Sequence, residues 1–128
     1  MMRRLWSLCV VLMLACAGEA QATQEYTGVA PSGAWYHIVV PDGWHAGDAL
    51  VLYQHGLDFS DADDAPGLGP LKSVMLDEGY AVAASSFRQR GWALFTAIDD
   101  NRELLSLFEQ FTGNQQRVGH NRQILMMP

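Results

Sequence analysis

The sequence predicts an α/β fold, a partial sheet of about three strands and two helices that follows a leader segment. Hydrophobic runs rich in β-branched and aromatic residues alternate with segments of helical spacing. The run ALVLYQ, residues 49–54, is apolar along nearly its whole length, which is typical of a strand buried on both faces by covering helices. The order strand, strand, helix, strand, helix fits a sheet with right-handed crossovers.

The predicted strands occupy residues 34–41, 49–54 and 80–87, where aromatic and β-branched residues are concentrated. Residues 23–33 are small and polar, and we expect them to form a flexible start. Residues 55–69 contain many Asp, Gly and Pro residues, and they are predicted to form a loop.

Two helices are predicted from apolar spacing and from the glycines that follow them. In the first, Leu71, Val74 and Met75 recur at helical intervals before Gly79. The second is expected to start with Asp99 or Asp100 as its cap and to end at Gly113. Its expected buried face consists of Leu104, Leu105, Phe108 and Phe111.

Residues 1–22 have the pattern of a secretory signal peptide. Arg3 and Arg4 precede an apolar run, and Ala20-Gln21-Ala22 is an A-x-A cleavage pattern. The run is shorter than the about 20 residues that cross a bilayer, so the mature chain is expected to have no stable membrane span and to be secreted or periplasmic. Two alternatives remain open: an uncleaved N-terminal anchor, and a lipoprotein attached at Cys16.

Cleavage after Ala22 would leave an acidic chain without thiols. Both cysteines, Cys9 and Cys16, precede the cleavage point, so no disulfide is expected. Of the 8 basic and 14 acidic residues in the whole chain, 6 basic and 13 acidic would remain, a net charge of −7. Because phosphate binding needs clustered Lys and Arg, nucleic acid is not an expected partner.

Three segments together resemble the N-terminal part of a secreted α/β-hydrolase of the serine esterase or peptidase type. They are LVLYQHGLD (50–58), GYAVAASSFRQRGWA (79–93) and IDDNRELLSLFEQFTG (98–113). The resemblance implies that residues 23–113 are the N-terminal portion of such a domain. It also implies that the full-length family acts on small-molecule, ester-like substrates.

In that family a central strand ends in His-Gly, and the loop after it supplies a backbone N–H to the oxyanion hole. The resemblance implies that Leu57 donates the N–H here, while His55 and Gly56 shape the turn. Glycine at position 56 would allow a sharp turn and a close approach of substrate to the backbone. The resemblance gives His55 a structural role and not that of the catalytic base.

The second half of such a site does not appear in the sequence. The family nucleophile lies in G-x-S-x-G, followed along the chain by an acid and a histidine. No serine of this chain has a glycine two residues away on both sides. Residues 114–128 are interpreted as an atypical tail that contains no strong strand, as after a frame shift. We therefore expect a catalytically incomplete hydrolase fragment.

Two other readings of the chain remain open. One is a small, intact, non-catalytic secreted domain that binds a ligand or partner at the His55-Gly56 loop. The other is an enzyme in which His55 activates Ser85 or Ser86, which end a predicted strand. His120 is a further candidate base, although a solvated histidine of the tail fits its setting better.

Neither a metal nor a cofactor is expected. The loop contains Asp58, Asp61, Asp63 and Asp64, and clustered carboxylates can bind calcium. Their spacing differs from that of a calcium-binding loop, so a solvated acidic loop is the favoured interpretation.

The predicted strand 49–54 would have one neighbour, residues 80–87, and would lack the second. An apolar strand with an unpaired edge pairs with other chains, so aggregation or self-association is expected for the fragment.

Overall fold

The computed structural model describes residues 23–59, 62–113 and 124–127. The elements follow in the order β1 (Thr23–Val29), β2 (Trp35–Pro41), β3 (Leu50–Tyr53), α1 (Lys72–Asp77), β4 (Ala81–Ser85), α2 (Ala97–Phe111) and β5 (Ile124–Met127). The predicted strands 34–41, 49–54 and 80–87 are confirmed as β2, β3 and β4, each slightly shorter than expected. The predicted signal peptide, residues 1–22, lies outside the described residues.

The strands form one mixed sheet in the order β1-β2-β4-β3-β5. β1 pairs with β2 and β2 with β4 in antiparallel orientation. β3 pairs in parallel with β4 on one side and with β5 on the other, and Leu50 lies opposite both Ala81 and Ile124. The carboxyl ends of three parallel strands therefore meet at one edge of the sheet, and β3 lies in the middle.

Each face of the sheet is covered by one helix, because successive residues of β3 point to opposite faces. Leu50 and Leu52 pack in a cluster with Leu104 and Phe108 of α2. Val51 belongs to the cluster on the other face, against which Met75 and Leu76 of α1 pack. This arrangement confirms a small α/β architecture and explains why the strand reads as apolar throughout.

The expected flexible start of the mature chain is wrong for residues 23–29, which form the seven-residue strand β1. β1 pairs with β2 over its whole length. Tyr26 also stacks on Phe111 of α2, with ring centroids 4.6 Å apart and nearly parallel planes. The polar residues of β1 are tolerated because one side of this edge strand faces solvent.

The expectation that the tail contains no strand is wrong for residues 124–127. The sequence Ile-Leu-Met-Met forms β5 and pairs with all four residues of β3. The predicted open edge of β3 is therefore paired. β3 has only four residues, so four extended residues are enough to pair with its whole length. His120 and the remaining residues of the tail lie outside the described residues.

α1 and α2 occupy the predicted positions, with two differences. In α1, Leu71 and Val74 are exposed, since Leu71 precedes the helix as its N-cap and Met75 and Leu76 make the contacts with the sheet. In α2 the helix begins at Ala97, so the expected capping role of Asp99 or Asp100 is wrong. Leu104 and Phe108 are buried as predicted, and Leu105 and Phe111 pack at the border of the same cluster.

No helix in the three described stretches is both long and apolar enough to cross a membrane.

Candidate functional site

The predicted turn lies at the carboxyl edge of the sheet, directly after β3. Its start is fixed by Gln54, whose amide exchanges two hydrogen bonds with Asn101 of α2, at 2.9 and 3.3 Å. Asn101 is buried, so the reciprocal pair satisfies polar groups that would otherwise be costly inside the protein. These two hydrogen bonds therefore fix the position at which the turn begins.

His55 links the turn to the end of β4. Its Nδ1 lies 2.8 Å from the carbonyl oxygen of Gly56, and its Nε2 lies 3.1 Å from that of Ser86. Both carbonyls are acceptors only, so each ring nitrogen that carries a proton donates to backbone. The ring also packs against Phe87 at a centroid distance of 4.7 Å. This geometry gives His55 a structural role and directs neither nitrogen at a serine hydroxyl.

Gly56 has a backbone conformation that does not need glycine, because its φ is outside the left-handed range. A methyl group added at Gly56 would meet no atom within 4 Å. The expected sharp turn is therefore not the reason for glycine here. The open space beside its α-carbon leaves room for a ligand to approach the backbone.

Leu57 follows with 55% of its surface exposed. Within the described part of the chain, its backbone N–H has no hydrogen-bond acceptor. The same is true of the N–H of Gly56. Two consecutive backbone donors at the carboxyl edge are therefore available to a ligand.

Phe87, which follows β4 closely, lies beside this turn in a left-handed conformation with φ of 58°. Such a conformation is uncommon for an aromatic residue and costs about 1–2 kcal/mol. Its N–H donates to Ser85 Oγ at 3.1 Å, and the Ser86 hydroxyl donates to its carbonyl at 3.2 Å. The two serines hold the backbone in this conformation.

These contacts also define what Ser85 and Ser86 do. Ser85 is buried, and Ser86 Oγ accepts a hydrogen bond from the N–H of Trp35 while it donates to Phe87. The structure brings His55 close to Ser86, but to its carbonyl and not to its hydroxyl. The arrangement does not form a nucleophile and base.

A charged pair fixes the loop after Phe87. Arg88 Nε donates to Asp100 Oδ1 at 2.6 Å, and its backbone N–H donates to Oδ2 at 2.9 Å. A terminal nitrogen of Arg88 also forms an ion pair with Oδ1 at 2.6 Å. The side chain of Asp100 is fully buried. Its hydrogen bonds raise the pKa of Arg88. The loop between β4 and α2 is therefore tied to the first turn of α2.

An apolar hollow of about 480 Å³ opens between the two loops at this edge. Its polar and backbone walls come from Gln54, His55, Gly56 and Gly91. Its apolar walls are Leu57, Phe87, Trp92, Ala93, Leu94 and Ala97. The lining therefore includes both residues of the turn whose N–H groups have no acceptor among the described residues.

A second cleft, of about 570 Å³, lies on the other side of His55 and is polar. Its charged lining residues include Asp58, Asp63, Asp64, Arg88 and Arg90. Among the residues that the structure describes, no group of three His, Cys, Asp or Glu side chains is placed to hold a metal ion. Asp61 of the acidic loop lies outside the described residues.

Sequence reasoning located His55, Gly56 and Leu57, and the structure places all three on the hollow. It missed Phe87, Trp92 and the Arg88–Asp100 pair. The exposure of Trp92 could have been predicted from the sequence, because a large apolar residue beside a glycine in a turn, here Gly91, is often exposed and available for binding. The pairing of Arg88 with Asp100 required the fold.

A comparison with models of known protein families found no match, and a search of curated proteins found none with significant similarity to this chain.

Proposed function

We propose that residues 23–113 are the N-terminal portion of a secreted α/β-hydrolase domain that acts on ester or similar acyl bonds of small molecules. The 128-residue chain itself is catalytically incomplete, because it contains no G-x-S-x-G. The observation that carries the proposal is the N–H of Leu57, which has no acceptor among the described residues and lies at the carboxyl edge of β3, beside an apolar hollow.

The chemistry explains why this donor matters. When a nucleophile adds to an ester carbonyl carbon, the electron pair of the C=O bond moves to oxygen, which becomes negative. A fixed N–H donor stabilises that charge without reorganisation. Leu57 supplies the donor, and His55 holds the turn through its contacts with the carbonyls of Gly56 and Ser86.

The pairing of β3 is compatible with the same proposal, because its second side accepts a parallel neighbour, whichever reading frame encodes that neighbour. In the resembled family, one neighbour of the His-Gly strand carries the nucleophile. β5 is the second neighbour of β3, and Met127 pairs with Tyr53, two residues before His55. A nucleophile that followed this strand would begin at the same edge as the turn, where an oxyanion donor is needed.

The first experiment is to read the coding DNA in all three frames, from the codon of Gly113 to beyond that of Pro128. We expect one frame to encode G-x-S-x-G after an apolar strand, with Asp and His farther on. If no frame contains that sequence, the hydrolase proposal is abandoned for this chain.

A recovered continuous frame allows a direct test of Leu57 in the expressed enzyme. Leu57→Pro removes the backbone N–H, and Leu57→Ala keeps it while shortening the side chain. We expect Leu57→Pro to lower kcat by about 10²- to 10³-fold, as for the loss of one oxyanion donor. Leu57→Ala should retain kcat within about threefold, and equal losses in both variants would contradict the role of the N–H.

The second candidate function is a small secreted domain that binds a ligand at the His55-Gly56 loop without chemistry. It is favoured by the presence of an open hollow in a chain without a nucleophile motif. Absence of an elbow in every frame, together with ligand-induced shifts of the Gly56 and Leu57 amide resonances, would support this function over the hydrolase.

Secretion is part of the proposal and has its own test. Mass spectrometry of the protein from an expressing bacterium should give a mature chain that begins at Thr23, in the periplasm or medium. A chain that starts at a lipid-modified Cys16 would identify the lipoprotein alternative, and an intact leader would identify the uncleaved anchor.

A further inference from the structure

We infer that the apolar hollow at the carboxyl edge binds a linear acyl chain with an uncharged aliphatic tail, whose carbonyl or carboxylate oxygen accepts from the Leu57 N–H. The inference deepens the proposed function and rests on it, since it names the substrate class for the same site: acyl compounds with an extended aliphatic tail.

The first argument is the lining of the hollow. Six of its residues are apolar, and three of the four large ones are unusually exposed: Trp92 by 72%, Leu94 by 63% and Leu57 by 55%. Apolar side chains of this size gain about 25 cal/mol for each Å² that a ligand removes from water. A volume of about 480 Å³ is in the range of small-molecule sites. An aliphatic chain is the simplest ligand that matches these walls.

The second argument is charge. The residues lining the hollow include no carboxylate and no guanidinium, whereas the neighbouring cleft is lined by both. The polar groups of the lining residues include the N–H donors of Gly56 and Leu57, which have no acceptor among the described residues. Backbone donors among otherwise apolar walls complement a ligand that has an oxygen acceptor and an uncharged tail.

The third argument is that the walls are held in place before a ligand arrives. His55 bridges the two loops through the carbonyl of Ser86. The N–H of Gly91 donates to the carbonyl of Asp58 and closes the loops at a second point. A preformed site avoids much of the ordering cost of binding. The hollow therefore fits ligand binding better than a surface formed only on contact.

The test compares probes by calorimetric titration of the purified chain below their micellar concentrations. Decanoate should bind at least about tenfold more tightly than butanoate, because six more methylene groups are removed from water. Decanoate should also bind more tightly than decyltrimethylammonium, which has the same tail length and a cationic head. The net charge of the chain is −6, so unspecific attraction would favour the cation instead.

Two variants with matched controls locate the binding. Trp92→Ala should weaken decanoate binding at least about fivefold through lost contact area. Phe95→Ala is the control, because Phe95 is 91% exposed in the same loop but does not line the hollow, and affinity should stay within about twofold. Leu57→Pro should weaken decanoate about fivefold through the lost donor, while Leu57→Ala should weaken it less.

The outcomes separate this inference from the proposed function. If decanoate binds no better than butanoate, or if Phe95→Ala and Trp92→Ala act equally, the acyl-chain inference is overturned while a Leu57→Pro effect keeps the oxyanion turn. If chain length and Trp92 matter but Leu57→Pro has no effect, the apolar site stands and the oxyanion turn is abandoned. Loss of self-association in Trp92→Ala without any decanoate binding would assign the hollow to a second copy and overturn the inference.

Discussion

Asp100 carries its charge on a fully buried side chain, and this position in α2 determines the shape of the loop beside the candidate site. Two hydrogen bonds and an ion-pair contact join its two oxygens to the side chain and backbone of Arg88. A buried carboxylate is tolerated only where such bonds replace its hydration. The pair therefore orients the segment that carries Phe87, and through it one wall of the hollow.

Asp100→Asn should lower the free energy of unfolding by about 2 kcal/mol, because charge-assisted hydrogen bonds become weaker and one oxygen is replaced by a donor that faces Arg88. Urea unfolding followed by circular dichroism measures the difference. The control is Asp99→Asn, whose exposed pair with Arg102 at 3.2 Å should contribute well under 1 kcal/mol. Equal effects of the two substitutions would contradict the structural role of Asp100.

At the residue scale, the sequence predicted the residues of the turn better than the contacts that hold the neighbouring loop in place. His55, Gly56 and Leu57 follow an apolar strand, so their position at the carboxyl edge was predictable. Asp100 was expected to cap a helix, because an aspartate before an apolar periodic segment usually does so. Its pairing with Arg88 depends on how the loop folds back on α2, and no local pattern encodes that.

At the scale of the elements, a close contact between a glycine and an aromatic ring constrains the junction between the acidic loop and α1. Gly69 has a φ of +79°, and an added β-carbon would lie 2.5 Å from the Tyr53 ring. Tyr53 ends β3 and packs against the cluster beneath α1. The close approach of this glycine to the aromatic ring therefore sets where α1 begins relative to the sheet.

Gly69→Ala should destabilise the protein by about 2–4 kcal/mol, since left-handed backbone costs about 1–2 kcal/mol for alanine and overpacking against Tyr53 adds a similar amount. Thermal unfolding provides the measurement. Gly67→Ala is the matched control, because an added β-carbon there meets nothing within 4 Å and φ lies outside the left-handed range. A comparable loss in both variants would show that the Tyr53 contact is unimportant.

The pairing of β1 with β2 is supported by a polar chain that crosses both strands. His37 on β2 lies with Nε2 2.5 Å from Glu25 on β1 and with Nδ1 2.8 Å from the carbonyl of Pro66. The hydrogen bond from His37 is the largest cause that lowers the pKa of Glu25 below its ordinary value of 4.5. β1 and the acidic loop are thereby both attached to one side chain.

The lowered pKa of Glu25 determines in which direction the free energy of unfolding changes with pH. Its contribution to stability is fully present above pH 4.5, the ordinary value, and is lost as the pH falls through the lower pKa of the folded state. Glu25→Gln should therefore flatten the decline of unfolding free energy on acidification below pH 5. Because Glu25 is half exposed, the effect is small and is best measured as a difference in urea midpoints between pH 3 and pH 6. Identical profiles for variant and parent would show that the pair contributes nothing.

The burial of each strand explains whether the sequence predicted it. β2, β3 and β4 are buried and apolar, so hydrophobic runs identified them. β1 is mostly exposed, and its polar residues resemble those of a loop although Thr23, Tyr26, Thr27 and Val29 favour strands. β5 has only four residues, and a run this short carries no reliable period.

At the scale of the whole molecule, the candidate site lies at the carboxyl ends of the parallel strands, and no described strand pairs with the outer side of β1 or of β5. The turn after β3, the loop after β4 and the first turn of α2 meet at the carboxyl edge. β1 and β5 are the outer strands of the sheet. Because β3 is paired on both sides, the expected self-association is now predicted to involve these outer strands instead.

β1 is the longer outer strand, and edge strands avoid unwanted pairing through proline, lysine, bulges or a covering element. Its sequence, TQEYTGV, contains neither proline nor lysine. We therefore expect the purified chain to associate with rising concentration through β1, as measured by sedimentation velocity.

Thr27→Lys should shift the association toward monomer, because a lysine at an exposed position of an edge strand disfavours pairing with another chain. Ser106→Lys makes the same change of charge on the exposed side of α2, so it controls for altered net charge and should leave the association unchanged. A chain that stays monomeric at all concentrations would remove the expectation. If Trp92→Ala, rather than Thr27→Lys, abolishes association, the contact lies at the apolar hollow and the β1 edge is protected by its own twist and solvation.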